Sequence, residues 1–431
     1  VTEPTKTTIT KEKGDGTQPP ATEQAVDPRL LVRQEGLAGY LHEFKRKVRG
    51  GELGSIPVVI GLVVIAVIFQ SLDPTFLSAR SLSDISVYTA GLGIMAIGIV
   101  FVLLLGEIDL SVGSVAGVGA AMWAVLSVTH QLNDLLSVLV ALITGGLIGL
   151  LHGFFFAKVG VPAFVVTLAG FLGWSGLQIW LMGNEGSINT PSNSIVQEIT
   201  GYYFSDKAAA YALAVVAVAG YLAALLRDAK RRRSARLPHR PVSEIAIRTV
   251  VVGVIALGAA YQLNEPAGAR GLPLALLIFL VVLFAADFVS RRTTYGRQIF
   301  AVGGNAEAAR RAGIDVEKIR ITVFGIAGML AALGGLFIAS QQGGATKNLG
   351  AGNTLMNVIA AAVIGGTSLF GGRGKILSAL LGALVIMSIQ QGLNLLGMAS
   401  EIQYMITGAV LLAAVVIDSI SRRTQKTAGR T

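Results

Sequence analysis

The chain has 431 residues, 53% hydrophobic and only 14% charged, with a formal net charge of +10 and no cysteine. A soluble chain carries about 25% charged residues, so with a mean hydropathy of +0.66 this composition excludes a disordered, collagenous or ordinary soluble protein. The lack of thiols excludes disulfide frameworks, cysteine-ligated zinc, iron–sulfur clusters and thiol catalysis. The basic residues cluster beside apolar runs, which reads as membrane topology and not as nucleic-acid binding.

Residues 1–55 are polar, rich in Thr, Lys, Glu and Pro, without the apolar core of a secretory signal. They are expected to form a disordered cytoplasmic tail with a short amphipathic stretch near Leu30–Val48. Apolar runs long enough to cross a hydrocarbon core of roughly 30 Å then follow one another. They read as Ile56–Leu72, Ile85–Leu105, Val112–Val128, Leu135–Ala157, Phe164–Met182, Ala208–Leu226, Thr249–Leu263 and Leu272–Ser290. Ile321–Ala339, Thr354–Phe370, Ile376–Leu396 and Tyr404–Ser419 complete the set. Their length and their richness in Leu, Ala and Gly favour helices over a barrel. The fold class is therefore all-α: a polytopic membrane helical bundle over residues 56–420, closed by a short tail at 421–431.

Orientation follows from Lys and Arg. Basic groups flank the bundle at Lys45–Arg49, at Arg227–Arg240, at Arg291–Arg320 and after Ser419. If all four are cytoplasmic, the crossings between successive groups must be even in number, and the runs supply six, two and four. Twelve crossings with both termini inside is the self-consistent scheme, although two re-entrant segments would give the same parity. Gly145, Gly149 and Gly153 form a four-residue ladder, as do Gly113 and Gly117, which suits close intrachain helix packing more than a subunit interface. Sliding GEIDLSVG at Gly106–Gly113 by 259 residues lays Gly106, Leu110 and Gly113 on Gly365, Leu369 and Gly372. Both segments follow an inward crossing, so a repeat of this kind would be parallel.

Two segments carry candidate function. The apolar stretch Ile85–Val128 is interrupted only by Glu107 and Asp109, costly residues at membrane depth, bracketed by Gly106 and Gly113. A broken helix here would restart at Val112, capped by Ser111 and Ser114, with Asp109 near its positive end; an interfacial turn is the equal alternative. The second is the segment 291–320, whose Gly303, Gly304 and Asn305 lead into a short helix. Asn305 is a good N-cap, Glu307 sits in the first turn, Arg310 and Arg311 in the last, and Gly313 fits the left-handed position after it. Ala308 and Ala309 give this helix a small-residue face, and two turns are marginal alone in water, so it should dock against something. Asn357, Gln390, Gln391 and Asn394 lie within late spans and suit either a hydrated pathway or interhelical hydrogen bonds.

GEIDLSVGS at Gly106–Ser114, PAFVVTLAGF at Pro162–Phe171, GGNAEAARRAGI at Gly303–Ile314, AAAVIGGTSLFGGRGKILSALLGAL at Ala360–Leu384 and GLNLLG at Gly392–Gly397 stand in one order. Together they resemble the permease subunits of bacterial ABC importers for monosaccharides. The stretch Ile199–Asn264, with an extra helix pair and a basic linker, resembles the longer xylose-type members more than the ribose-type ones. The resemblance implies a bacterial plasma-membrane subunit that dimerises and carries a monosaccharide. It also implies a separate ABC ATPase that binds ATP and magnesium and an extracytoplasmic sugar-binding protein. Gly303, Gly304, Asn305, Glu307, Ala308, Ala309, Arg310, Gly313 and Ile314 would then form the ATPase-coupling segment. Glu107, Asp109, Ser111, Asn357, Gln390, Gln391 and Asn394 are the translocation-pathway candidates, Asp109 matching the family pattern and Glu107 departing from it.

No cofactor, metal site or catalytic residue is expected in the chain itself. FGGRGKIL at Phe370–Leu377 lacks the Walker spacing, and His42, His130, His152 and His239 are scattered without metal-ligand spacing. An ion-gradient-driven secondary transporter is the alternative, with Glu107 and Asp109 as its carboxylates. A permease for a branched-chain amino acid or a nucleoside is the alternative within the wider superfamily.

Overall fold

In lipid a chain must satisfy its backbone polar groups internally, and these Leu-, Ala- and Gly-rich runs do so as helices. The computed structural model describes residues 56–235, 241–266 and 268–427. The expectations for the tail before Ile56, including Leu30–Val48, for Arg236 and Arg240, and for residues 428–431 lie outside the described residues.

The helices run in the order α1 Ile56–Leu72, α2 Ala79–Leu104, α3 Val112–Ala124, α4 Asp134–Phe154, α5 Ala163–Met182, α6 Ile195–Gly201, α7 Lys207–Ser234 and α8 Val242–Asn264. After them come α9 Leu274–Arg292, α10 Thr294–Gly304, α11 Ala306–Arg311, α12 Val316–Gln342, α13 Thr354–Ile364, α14 Leu377–Leu395 and α15 Ser400–Thr427. π-helical turns extend α3 over Val125–Thr129 and α4 over Phe155–Val159. Four short strands pair antiparallel in two ribbons, β1 Ser187–Asn189 with β4 Gly344–Thr346 and β2 Tyr203–Phe204 with β3 Leu272–Pro273. Nine of the described helices are long and apolar enough to cross a membrane, and the apolar α1 and α13 are shorter. Each expected span overlaps one helix.

Helix α2 is the central post. It starts on the Ser78 cap, whose side chain accepts from the Ser81 N–H, and almost its whole length is buried. Around it pack α12, α14, α9 and α13. The glycine ladder explains the tightest crossing, α4 against α12. A Cβ at Gly145 would meet Gly328, at Gly149 the Phe324 carbonyl, and at Gly153 the Ile321 backbone. Absence of side chains lets the two backbones touch and gain dispersion contacts that lipid cannot match. The ladder is therefore intrachain packing.

Three elements differ from the sequence expectation. The run Thr354–Phe370 forms a helix only as far as Ile364, 11 residues or about 16 Å, because Gly366, Gly371 and Gly372 take positive φ values that end regular structure. The α7 helix runs on past Leu226 to Ser234, since Arg and Lys are good helix formers and suit its negative C-terminal end. In the same way α15 continues through residues 421–427, which the sequence reading had placed in a tail.

Candidate functional site: a polar cavity, a helix break and a helical docking segment

The four late amides come together. Asn357 on α13 and Gln390, Gln391 and Asn394 on α14 line one cavity of about 290 Å³. Tyr88, Leu92 and Met95 of α2, Gln341 and Gln342 of α12, Thr354 and Met387 complete its wall. The half-length of α13 matters here, because its start, and not its middle, stands at the cavity. Gln341 is oriented by its amide, which donates to the Val87 carbonyl (3.1 Å), and Gln391 donates to the Ser81 hydroxyl (3.4 Å). Asn357 is 6% exposed, and its Oδ1 has no hydrogen-bond partner. A buried acceptor without a donor costs about 1–3 kcal/mol, a cost that a solute hydroxyl would relieve. The wall holds no Asp, Glu, Lys or Arg. Sequence reasoning missed Tyr88, Gln341, Gln342 and Thr354; the Gln341–Gln342 pair directly follows an apolar run, and counting α12 past Ala339 would have found it.

Glu107, Asp109 and Ser111 are elsewhere, at the break between α2 and α3. Gly106 turns the chain with φ +84°, and α3 restarts at Val112. Asp109 is buried, and its Oδ1 accepts from the Ser111 N–H (2.8 Å) and the Ser111 hydroxyl (2.6 Å). Ser111 is the residue before α3 but makes no side-chain cap, and Ser114 donates back to the Ser111 carbonyl (2.8 Å). The carboxylate, and not the serines, thus holds the new helix start. His152 of α4 joins this group: the Trp174 indole N–H donates to His152 Nε2 (2.8 Å), and His152 Nδ1 lies 3.3 Å from Ser111 Oγ. Because the Ser111 proton is directed to Asp109 and Nε2 accepts, Nδ1 carries the imidazole proton and donates to Ser111. A lone histidine in a sequence gives no sign of this. Glu107 is half-buried near Arg320, and burial holds its carboxyl above the ordinary carboxylate range against the partial pull of the Arg320 charge.

The segment after α9 folds as two helices, where the sequence indicated one. Thr293 caps α10 by accepting from the Gly296 N–H (3.1 Å). Asn305 then caps α11, its Oδ1 accepting from the Ala308 N–H (2.9 Å). Glu307 pairs with Arg310 and Arg311 at 3.2 Å each, and Gly313 has φ +84° after the Ala312 C-cap. Gly304, Asn305, Glu307, Ala308, Arg310 and Gly313 are exposed, whereas Ala309 is buried in the core of this same chain and Ile314 packs against that core. Ala309 is thus an intramolecular anchor, and Ala308 belongs to the outward face. Gly303 meets the Leu104 carbonyl at the end of α2 and Gly372 beyond α13, and the Gly372 N–H donates to that carbonyl (2.9 Å). The two segments that overlay at an offset of 259 residues meet at this joint, Gly106 lying against Phe370 and Gly371.

A bundle of membrane-length helices around an uncharged polar cavity, with a helical segment projecting between two of them, is the build of a membrane permease. The chain belongs to the family described as branched-chain amino acid transport system / permease component, which its residues 81–415 match. It is 34% identical over 369 residues to the xylose transport system permease protein XylH of Escherichia coli K12, covering 85% of this chain and 92% of that protein. It is 35% identical over 373 residues to the Haemophilus influenzae protein of the same name, covering 86% and 98%. Against the ribose import permease protein RbsC of Escherichia coli K12 it is 31% identical over 361 residues, covering 84% and 92%. No solved structure matches the chain.

Proposed function

We propose that this chain is the membrane-spanning subunit of an ATP-driven ABC importer for a monosaccharide, a pentose such as xylose. The observation that carries the reading is the cavity wall of four glutamines or asparagines from α13 and α14, two glutamines from α12, a tyrosine and a threonine. An amide offers both a donor and an acceptor, which suits a neutral solute with hydroxyls on every face. A zwitterionic amino acid would call for charges of both signs, and the wall supplies none. A gradient-driven carrier would place carboxylates along the path, whereas Glu107 and Asp109 stand outside the cavity wall. The names of the relatives point the same way.

In this reading the exposed face of α10 and α11 receives a cytoplasmic ATPase, which binds the ATP and magnesium; the chain itself needs no cofactor. A sugar-binding protein delivers the solute from outside, a second copy completes the path, and the subunit works in the plasma membrane. The test is uptake of labelled xylose into proteoliposomes containing the chain, with and without the ATPase, ATP and binding protein. Uptake should require all three, and leucine should not enter. Xylose entry driven by a proton or sodium gradient without the ATPase would overturn the proposal.

A further inference from the structure

Helix α7 is longer than a crossing needs. Its 28 residues span about 42 Å, against roughly 30 Å of hydrocarbon and about 40–45 Å with the headgroup layers. Its start is fixed at the opposite face, where Lys207 pairs with Glu265 at 2.6 Å. The excess therefore falls at its other end, which carries Arg227, Lys230, Arg231, Arg232 and Arg233, all exposed, against the single carboxylate of Asp228. Arg232 pairs with Asp228 at 3.3 Å; the other four cations have no ion pair among the described residues. Of the basic residues in neighbouring segments, Arg248 is paired with Glu244, Arg291 with Asp287, and Arg310 and Arg311 with Glu307. Arg292, Arg297 and Lys318, like the four of α7, have no ion pair among the described residues but do not stand four together on one helix end. Complementing the helix dipole accounts for the last-turn cations in part and does not call for so many.

The hairpin to which this end belongs is peripheral. Helix α7 packs chiefly on α8, and both present valine and isoleucine outward, Val215, Val216, Val250, Val254 and Ile255 among them. A helix pair with an apolar outer face thus carries, at one end, four cations without an ion pair among the described residues.

We propose that the end of α7 is a binding site for anionic phospholipid, in which Arg227, Lys230, Arg231 and Arg233 hold phosphate headgroups at the inner surface while the outer face of the α7–α8 hairpin lies along the acyl chains. The site rests on the inward placement of the basic linker and on nothing else in the transport reading. A juxtamembrane cation contributes through attraction to the anionic surface, and contributions add across a cluster.

The full chain in detergent is titrated with short-chain phosphatidylglycerol, phosphatidylcholine and inorganic phosphate, and retained lipid is read by native mass spectrometry. Phosphatidylglycerol should bind at least about tenfold more tightly than phosphatidylcholine, equivalent to about 1.4 kcal/mol, and inorganic phosphate should not compete at equal concentration. The variant R227Q/K230Q/R231Q/R233Q should lose this preference, whereas R227K/R231K/R233K should keep it. Thermal unfolding in lipid-free detergent shows whether the neutral variant folds; if it does not, raising salt from low to half-molar should abolish the preference in the parent. Equal binding of the two lipids by the parent, or a preference that survives neutralisation or high salt, overturns the proposal. So does capture of the purified ATPase by the basic cluster with no lipid preference. Sugar uptake is not part of the readout, so failure here leaves the transport reading standing, and the reverse.

Discussion

Asp109 does two jobs with one oxygen, accepting both the N–H and the hydroxyl of Ser111. An asparagine keeps an acceptor at that place, whereas alanine leaves two buried donors unpaired. Asp109→Ala should therefore lower stability by about 1–3 kcal/mol, and Asp109→Asn by clearly less, as measured by thermal unfolding in detergent. Equal losses would mean that charge, not hydrogen bonding, holds the break. Glu107 next door is held above the ordinary carboxylate range by burial. A carboxyl raised in the folded state binds more protons there than in the unfolded chain. Stability then falls as pH climbs from the ordinary range through the raised value. Glu107→Gln should flatten that decline and leave the protein at least as stable at neutral pH; an unchanged pH profile would place the titrating group elsewhere. At Asn357 the expectation is a trade. Replacing it with leucine removes an orphaned buried oxygen, so the melting temperature should hold or rise while sugar uptake drops. Uptake at the parental level would remove Asn357 from the path.

At the scale of elements, the pair Ala308 and Ala309 separates folding from docking. Ala309 is in the core, so Ala309→Trp should overpack it at about 1–3 kcal/mol and show as a lower melting temperature. Ala308 is exposed, and Ala308→Trp should leave melting unchanged yet weaken co-purification with the ATPase. If both variants lose only the ATPase, the buried position of Ala309 has been given too much weight. The Asn305 cap and the Gly313 turn of α11 were legible because capping chemistry is local: a side chain answers to N–H groups two or three residues away. Helix α10 was not, since TYGRQIFAVGG holds three glycines, which local propensity counts against a helix and which tertiary contact tolerates. The spans were legible in length because lipid demands long apolar helices. Helix α13 stops early at a signal the sequence does carry, Gly365–Gly366 followed by Thr367–Ser368, which the span as far as Phe370 overran. The amides Asn357, Gln390, Gln391 and Asn394 were visible as polar residues in apolar runs. That they share one cavity with Gln341 is a long-range fact that no window of sequence contains.

For the whole molecule, the α7–α8 hairpin is an appendage joined mainly at one face. The β2–β3 ribbon and Arg270 with Asp84 (3.1 Å) hold its flanking loops to the bundle, and Gln262 adds a hydrogen bond to the Leu77 carbonyl (2.8 Å), while Lys207 with Glu265 ties the two ends of the hairpin to each other. Exposed ion pairs contribute little singly, so Arg270→Ala should leave the melting of the bundle almost unchanged. Proteolysis or hydrogen exchange confined to residues 207–264 should rise instead. Loss of the whole bundle in that variant would show that the hairpin is integral to it.

The joint at Gly303 has a mechanical meaning. Backbone touches backbone there, Gly303 on the Leu104 carbonyl and Gly372 hydrogen-bonded to the same oxygen, with no flexible side chain between them to absorb a displacement. Helix α2 runs from that joint to the cavity wall at Met95, Leu92 and Tyr88, a stiff rod of 26 residues. If α10 receives the ATPase as proposed, a push on it is expected to reach the polar cavity as a tilt of that rod, with little slack at the point where the force enters.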